Sequence, residues 1–378
     1  TVLLPEYGPL APALEAAGAH VMVVPWPATL LRVGERSAAA RRPLTLCRAG
    51  LAVPALVGRL RRVLRASGPS VLVTNGMKAH LLGVLVGRIQ GAPLLWYGRE
   101  GLEGRGLSAR LLALAGRRCD GAIAISKYVA SELRRVLPAS TPVEVIYNLI
   151  DQAHCRPGRR LPDDLAKAPN ALWFGIVGAL TPIKGQDVFL EAAARIADRV
   201  PHARFVVVGG SPYRSESADF AQGLPGLADR LGIAARVDFL GARDDVEAIV
   251  SNLDVLVQAN RGPEGLGRTV LEAMACEVPV IAVDRWGPAE VVRDGETGVL
   301  FPPGDVDALA AAMEQLAGDA VARTALASAA RRWVARELTP ARLVARFRGF
   351  LQTWLREDAA ARPAERDSTA AAAGRAMS

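Results

Sequence analysis

Short, unbroken apolar runs alternate along the chain with longer stretches in which apolar residues recur every three to four positions. In the first 154 residues the runs at 2–4, 21–24, 71–74, 94–97, 121–125 and 143–147 predict strands. The longer spacing predicts helices at 9–19, 51–67 and 107–118, and others opening after Asn75 and after Ser126, a suitable N-cap. Strands that are apolar throughout, with helices between them, belong to a parallel sheet covered on both faces. Residues 155–168 break this pattern with Pro, Arg and Asp and few apolar positions, and are expected to be a linker. The pattern then restarts, with strands expected at 172–177, 205–208, 236–240, 254–257, 279–283 and 298–301. The predicted organisation is a first α/β domain over 1–154, a second doubly wound domain over 169–338, a helix over 339–357 that packs back on the first domain, and a disordered tail over 358–378. Two such units place a ligand in the cleft between them, at the carboxyl ends of the strands.

Composition sharpens the picture at three points. With 378 residues and 51% hydrophobic content the chain can build two cores. Its net charge of +8 is uneven: residues 1–150 hold 19 Lys and Arg against 8 Asp and Glu, a net of +11, and the remainder holds 27 against 30, a net of −3. A basic first half points to an anionic partner there, a membrane surface or an anionic acceptor. No nucleic-acid module and no aromatic-rich basic stripe accompanies it, so nucleic acid is not the expected partner. In the helix predicted at 51–67, Leu56, Leu60, Val63 and Leu64 share one side and Arg59, Arg61, Arg62 and Arg65 the other. That reads either as a solvated face or as a contact with anionic lipid. Cys47, Cys119, Cys155 and Cys276 show no metal or redox spacing and are expected to be reduced thiols of a cytoplasmic protein, peripheral at most to the inner membrane face. No apolar run reaches the length of a membrane span.

The candidate chemistry centres on residues 261–276, R-G-P-E-G-L-G-R-T-V-L-E-A-M-A-C, a Gly- and Pro-containing loop that becomes a helix. Glu264 and Glu272 lie eight positions apart, about 12 Å if the rise is helical, roughly the length of a sugar–diphosphate–ribose unit. Between them the amides of Gly265, Leu266, Gly267 and Arg268 are expected to be unpaired and ready for an anion. Alternatively the glutamates are solvated and the glycines only make a turn. Lys184, at the end of Gly178-Ala-Leu-Thr-Pro-Ile-Lys184, suits a diphosphate or a plain surface position. Gly209-Gly210 ends the next strand and lets a ligand approach the backbone. Arg243 lies on the turn after the strand that follows.

The ordered set V-G-x-L-x-P-x-K-G-x-D, V-V-G-G, F-L-G-x-R-x-D-V and P-E-G-L-G-R-x-x-L-E-A-M-A resembles glycosyltransferase family 4, the retaining enzymes of GT-B architecture. A-E-V-V-R-D-G-E-T-G-x-L-F-P-P-G-D, and in the first domain T-N-G-M-K-A-H, W-Y-G-R-E and A-I-S-K, are similar to further segments of that family. The similarity extends over residues 1–357. It implies two facing α/β domains and transfer of a sugar from a UDP- or GDP-sugar to a glycan or lipid-linked acceptor in cell-surface polysaccharide synthesis. By that resemblance Lys184 meets the donor phosphates, Glu272 the ribose, Glu264 the donor sugar, and Gly178 and Gly209 the ligand through their backbone. Arg243 would act at the base through its backbone and Arg99 in the catalytic cleft. Lys78 and His80 would lie on the acceptor side.

Two departures stand out. Ala179 occupies a position where the family carries Arg, which removes one cation from the leaving group unless Arg268 or Arg99 replaces it. The chain also opens at Thr1 on what resembles the family's second strand, so a first strand and its Gly-rich loop are expected to be missing. No D-x-D pair or other metal cluster is visible, and neither metal nor cofactor is expected. The alternatives are a catalytically silent nucleotide- or partner-binding paralogue, a sugar-nucleotide epimerase of similar architecture, or a scaffold that uses only its basic face.

Overall fold

The computed structural model describes residues 1–32, 43–104, 106–211 and 216–361. The first domain runs through β1 (Val2–Leu4), α1 (Leu10–Ala16), β2 (Val21–Val23), α2 (Ala28–Arg32), α3 (Pro43–Ser67), β3 (Leu72–Asn75), α4 (Met77–Val86), β4 (Leu94–Gly98), α5 (Gly106–Gly116), β5 (Gly121–Ala124), α6 (Lys127–Arg134) and β6 (Val143–Val145). All its strand pairs are parallel, but they form two sheets, β1–β2 and β3–β4–β5–β6. Side chains, not ladder hydrogen bonds, join the two. Leu56, Leu60 and Leu64 of α3 pack with Val24, Leu82 and Val86 into one buried cluster. The apolar stripe of α3 is therefore used inside the domain. Arg59 donates to the carbonyl of Pro25 (3.0 Å), and Arg61 to those of Val86 (2.8 Å) and Leu85 (2.9 Å).

The second domain contains β7 (Leu172–Val177), α7 (Gln186–Ile196), β8 (Ala203–Val208), α8 (Glu216–Arg230), β9 (Val237–Gly241), α9 (Val246–Val250), β10 (Val255–Gln258), α10 (Arg268–Ala275), β11 (Val280–Val283), α11 (Pro288–Val291), β12 (Val299–Phe301), α12 (Val306–Gly318) and α13 (Ala320–Glu337). Its six strands are parallel in the order β12-β11-β10-β7-β8-β9. Alternate residues of β7 face opposite cores: Leu172, Phe174 and Ile176 join Phe189 and Phe205 on one side, and Trp173 joins Val206 and Leu256 on the other. That second cluster continues into the first domain through Leu266, Ile150, Ile125 and Trp96. From β7 the chain builds outward first through β8 and β9, then on the other side through β10 to β12. The order reverses between β7 and β10, and a ligand crevice belongs outside the carboxyl ends of those two strands.

The last helix, α14 (Pro340–Ala361), returns to the first domain. Trp354 covers Gly121 of β5, and Arg346 bonds Glu144 of β6 at 2.5 and 3.1 Å. The helix continues four residues past the expected end at 357, because Asp358 to Ala361 complete its last turn. The rest of the expected tail, 362–378, lies outside the described residues. Among the described residues no helix is long and apolar enough to cross a membrane.

Candidate active site

Two loops meet at the reversal of strand order. The loop after β7 leaves Gly178 and makes a single helical turn, Pro182–Lys184, before α7 begins. It is stitched in place. The buried Gln186 donates to the carbonyl of Ala179 (3.0 Å), Leu180 N–H to that of Gly210 (3.0 Å), and Arg261 N–H to that of Ile183 (2.8 Å). Gly209 has φ +146°, and any Cβ there would overlap the carbonyl of Gly178, so the strand tips can lie this close only with glycine. The loop after β10 carries Asn260 and Glu264. Lys184 and Glu264 form an ion pair, and the buried Asn260 Nδ2 donates to the same carboxylate oxygen, Oε2, at 3.1 Å. A cation and an anion 80 residues apart in sequence thus meet at the switch point.

Helix α10 begins at Arg268, after Gly267 with φ +85°. Only the second half of the Glu264–Glu272 spacing is helical, so the axial rise expected over all eight residues does not apply to Glu264. The positive φ of Gly267 turns the loop out of helical geometry just before the first turn. Among the described residues no protein acceptor is found for the amides of Gly265, Leu266, Gly267 and Arg268. The Arg268 guanidinium donates to Glu272 Oε1 at 3.0 Å, one turn along the helix. Arg99 is exposed at the cleft, and its carbonyl lies so close to Gly265 that a Cβ would overlap it.

Other predicted residues lie elsewhere or are committed elsewhere. Arg243 is bidentate to Asp164 of the linker (2.5 and 2.9 Å) and to Asp245 (2.9 and 2.7 Å). These hydrogen bonds hold both carboxyls below their usual range and engage most of the Arg243 guanidinium within the protein. The Lys78 ammonium donates to the carbonyl of Leu31. His80 is on the buried face of α4, stacked on Trp96 with ring centroids 4.7 Å apart, and its Nδ1 lies 2.7 Å from Thr74 Oγ1. Burial lowers its pKa to about 3. In α4 these two polar side chains thus turn towards a carbonyl and a hydroxyl of the same domain.

Sequence reasoning missed Asn260, Gln186 and the residues that close the cleft. Ser126 Oγ donates to the carbonyl of Gly265 at 2.6 Å, and Glu290 of the second domain reaches backbone amides of the first. Only the position of Asn260, four residues before Glu264 at a strand end, offered a signal. The partners of Ser126 and Glu290 lie more than 130 residues away. Among the described residues no group of three His, Cys, Asp or Glu side chains gathers into a metal site.

Comparison with known proteins agrees with this fold. Residues 9–154 match the family described as Glycosyltransferase Family 4, and residues 171–319 match that described as Glycosyl transferases group 1. A GDP-mannose-dependent alpha-(1-6)-phosphatidylinositol monomannoside mannosyltransferase of Mycolicibacterium smegmatis is 31% identical over 238 residues, 58% of each chain. A D-inositol 3-phosphate glycosyltransferase of Mycobacterium marinum is 36% identical over 178 residues, 46% of this chain and 37% of that protein. The chain thus spans about a third to three fifths of the length of these curated relatives. HepE of Anabaena, solved in complex with UDP, superposes with a TM-score of 0.74 at 23% identity, covering 93% of this chain and 90% of that one. Sucrose-phosphate synthase from Thermosynechococcus elongatus gives 0.76 at 22% identity, covering 91% of each. With two parallel-sheet domains facing across a cleft, the chain is a GT-B fold protein related to the sequences of glycosyltransferase family 4.

Proposed function

We propose that the chain is a retaining glycosyltransferase that moves a sugar from a UDP- or GDP-linked donor to a glycan or lipid-linked acceptor in cell-surface polysaccharide synthesis. The observation that carries this reading is the Lys184–Glu264 pair at the switch point, beside a run of amides that have no protein acceptor among the described residues. A donor diphosphate would compete with Glu264 for Lys184 and take hydrogen bonds from the amides of residues 265–268. The freed Glu264 carboxylate, still held by Asn260, then faces the sugar. As the C1–O bond breaks, charge grows on the diphosphate, and fixed donors aimed at it lower the barrier. The acceptor hydroxyl attacks C1 from the leaving-group face and passes its proton to the departing phosphate oxygen, so no separate general base is required. Lys184 and the amides supply the stabilisation that a metal supplies elsewhere. The mycobacterial relative is named for GDP-mannose and HepE is solved with UDP, which keeps both bases in play.

Calorimetric titration with UDP, GDP and ADP tests the donor site. One diphosphate should bind, and Glu272→Ala should abolish that binding. Lys184→Ala should lower transfer about a hundredfold or more, the usual effect of losing one such donor. Glu264→Gln should keep or tighten diphosphate affinity, since it removes the anion that competes for Lys184, and lose transfer. Binding of no diphosphate, or full transfer by Glu264→Gln, would overturn the reading.

We also place an anionic membrane surface against the first domain of a cytoplasmic protein. The supporting feature is α5, not α3. Leu107, Leu111 and Leu114 follow one another at helical spacing and are 74%, 47% and 66% exposed, with exposed Arg110, Arg117 and Arg118 alongside.

A further inference from the structure

We propose that Glu290 is a positioning residue that latches the donor domain onto the acceptor domain and so sets the register of the reacting groups. Helix α6 of the first domain begins with three amides that have no partner within the helix. Ser126 Oγ accepts from the third, Val129 N–H, at 3.0 Å. The first two are met from the other domain. The Glu290 carboxylate accepts from Lys127 N–H with both oxygens (2.9 and 2.7 Å) and from Tyr128 N–H at 3.3 Å. It also accepts from the Tyr147 hydroxyl at 2.6 Å. A carboxylate at a helix N-terminus is favoured by both charge and hydrogen bonding. Here helix and carboxylate belong to different domains, so that preference becomes an attraction across the cleft.

The latch connects directly to the donor loop. Glu290 lies on α11, whose preceding residue Gly287 donates its N–H to the carbonyl of Glu264 at 3.0 Å. The next carbonyl, that of Gly265, takes the Ser126 hydroxyl, and Gly265 itself lies against the carbonyl of Arg99. Closing Glu290 onto α6 therefore fixes Glu264 and the free amides relative to Arg99 and the rest of the first domain. An outer contact reinforces it: Glu103 of the first domain accepts from Trp286 Nε1 (2.8 Å) and pairs with Arg285 (3.0 Å). Trp286 has φ +58°, a conformation that side-chain-bearing residues rarely adopt and that persists only where the surroundings impose it.

Diphosphate binding draws on the second domain, whereas transfer needs both. The kinetic consequence rests on the reaction proposed above, and the closure itself does not. The test compares wild type, Glu290→Ala and Glu290→Gln. Gln keeps an oxygen for the α6 amides without the charge and also checks that the fold tolerates change at this position. Small-angle scattering should give a larger radius of gyration for Glu290→Ala, with Glu290→Gln between it and wild type. Calorimetry should give the same diphosphate Kd within about twofold, while kcat falls roughly tenfold or more in Glu290→Ala and is partly restored in Glu290→Gln. An unchanged radius of gyration with unchanged kcat would overturn the latch. So would a Kd that weakens in step with kcat, because Glu290 would then belong to the donor site. If wild type binds no diphosphate and transfers nothing, the reaction fails as a reading while the scattering comparison still decides the latch.

Discussion

The imidazole of His80 is buried and neutral, and its side-chain polar partner among the described residues is the hydroxyl of Thr74. Burial lowers its pKa from 6.5 to about 3, so the unfolded chain takes up a proton at a higher pH than the fold does. Above pH 6.5 both states are neutral and the group contributes nothing. As pH falls from 6.5 towards 3 only the unfolded state is charged, and stability drops by about 1.4 kcal/mol per pH unit. Chemical denaturation of wild type and His80→Asn across that window should show the wild type losing stability faster by about that slope. Parallel pH profiles would mean that the ring is solvated. Sequence placed His80 near the acceptor because T-N-G-M-K-A-H resembles a helix start at a cleft. It could not show that the fourth residue of that helix turns towards Trp96. Lys184 and Glu264 were legible because each stands at a strand end inside a patterned loop. Glu290 was not, because its partners, two main-chain amides and the Tyr147 hydroxyl, belong to another domain more than 130 residues away.

Elements were read better than their arrangement. Strands such as β5, β7 and β11 are apolar throughout, so both of their faces must be covered, and a parallel sheet between two helical layers covers them. The strand order and the division of the first domain into two sheets left no trace in periodicity, because they depend on which helix fills which gap. The long α3 shows the limit: its arginine face was visible, but not that its apolar face and two of its arginines are used inside the domain. At this scale the close approach of β7 and β8 makes a firm prediction. Gly209→Ala would put a methyl group into the carbonyl of Gly178 at a φ of +146°. The strand tips must separate, and the loop that aims Lys184 moves with them. Thermal unfolding should register a loss of about 2 kcal/mol or more, and diphosphate affinity should fall with it. Gly223→Ala, on α8 with open space around it, is the control: it should leave diphosphate affinity unchanged and, by helix propensity, cost no stability.

At the scale of the whole molecule the charge is polarised, with the excess of +11 confined to the first 150 residues. A lipid-linked acceptor would present itself at a membrane, and a basic first domain with an exposed leucine stripe on α5 is suited to meet it. The strand before α5 ends at the cleft, and the loop between them carries Arg99 and Glu103, so a membrane under α5 would lie beside the acceptor entrance. The two parts of the contact have different signatures. Leucines entering the interface contribute roughly 1 kcal/mol or more each and are insensitive to salt. Arginines near an anionic surface contribute about 1 kcal/mol each and are screened within a Debye length. Sedimentation with vesicles containing phosphatidylserine should therefore capture the chain, and vesicles of phosphatidylcholine alone should capture much less. Leu107→Ser, Leu111→Ser and Leu114→Ser together should weaken partitioning roughly a hundredfold at any ionic strength. Arg110→Glu with Arg117→Glu should weaken it strongly at low salt and little at high salt. If the leucine changes have no effect while Arg59→Glu and Arg62→Glu release the protein, α3 is the membrane face after all. If the leucine changes instead convert a dimer to a monomer in light scattering, the stripe joins two copies of the chain and the membrane reading falls.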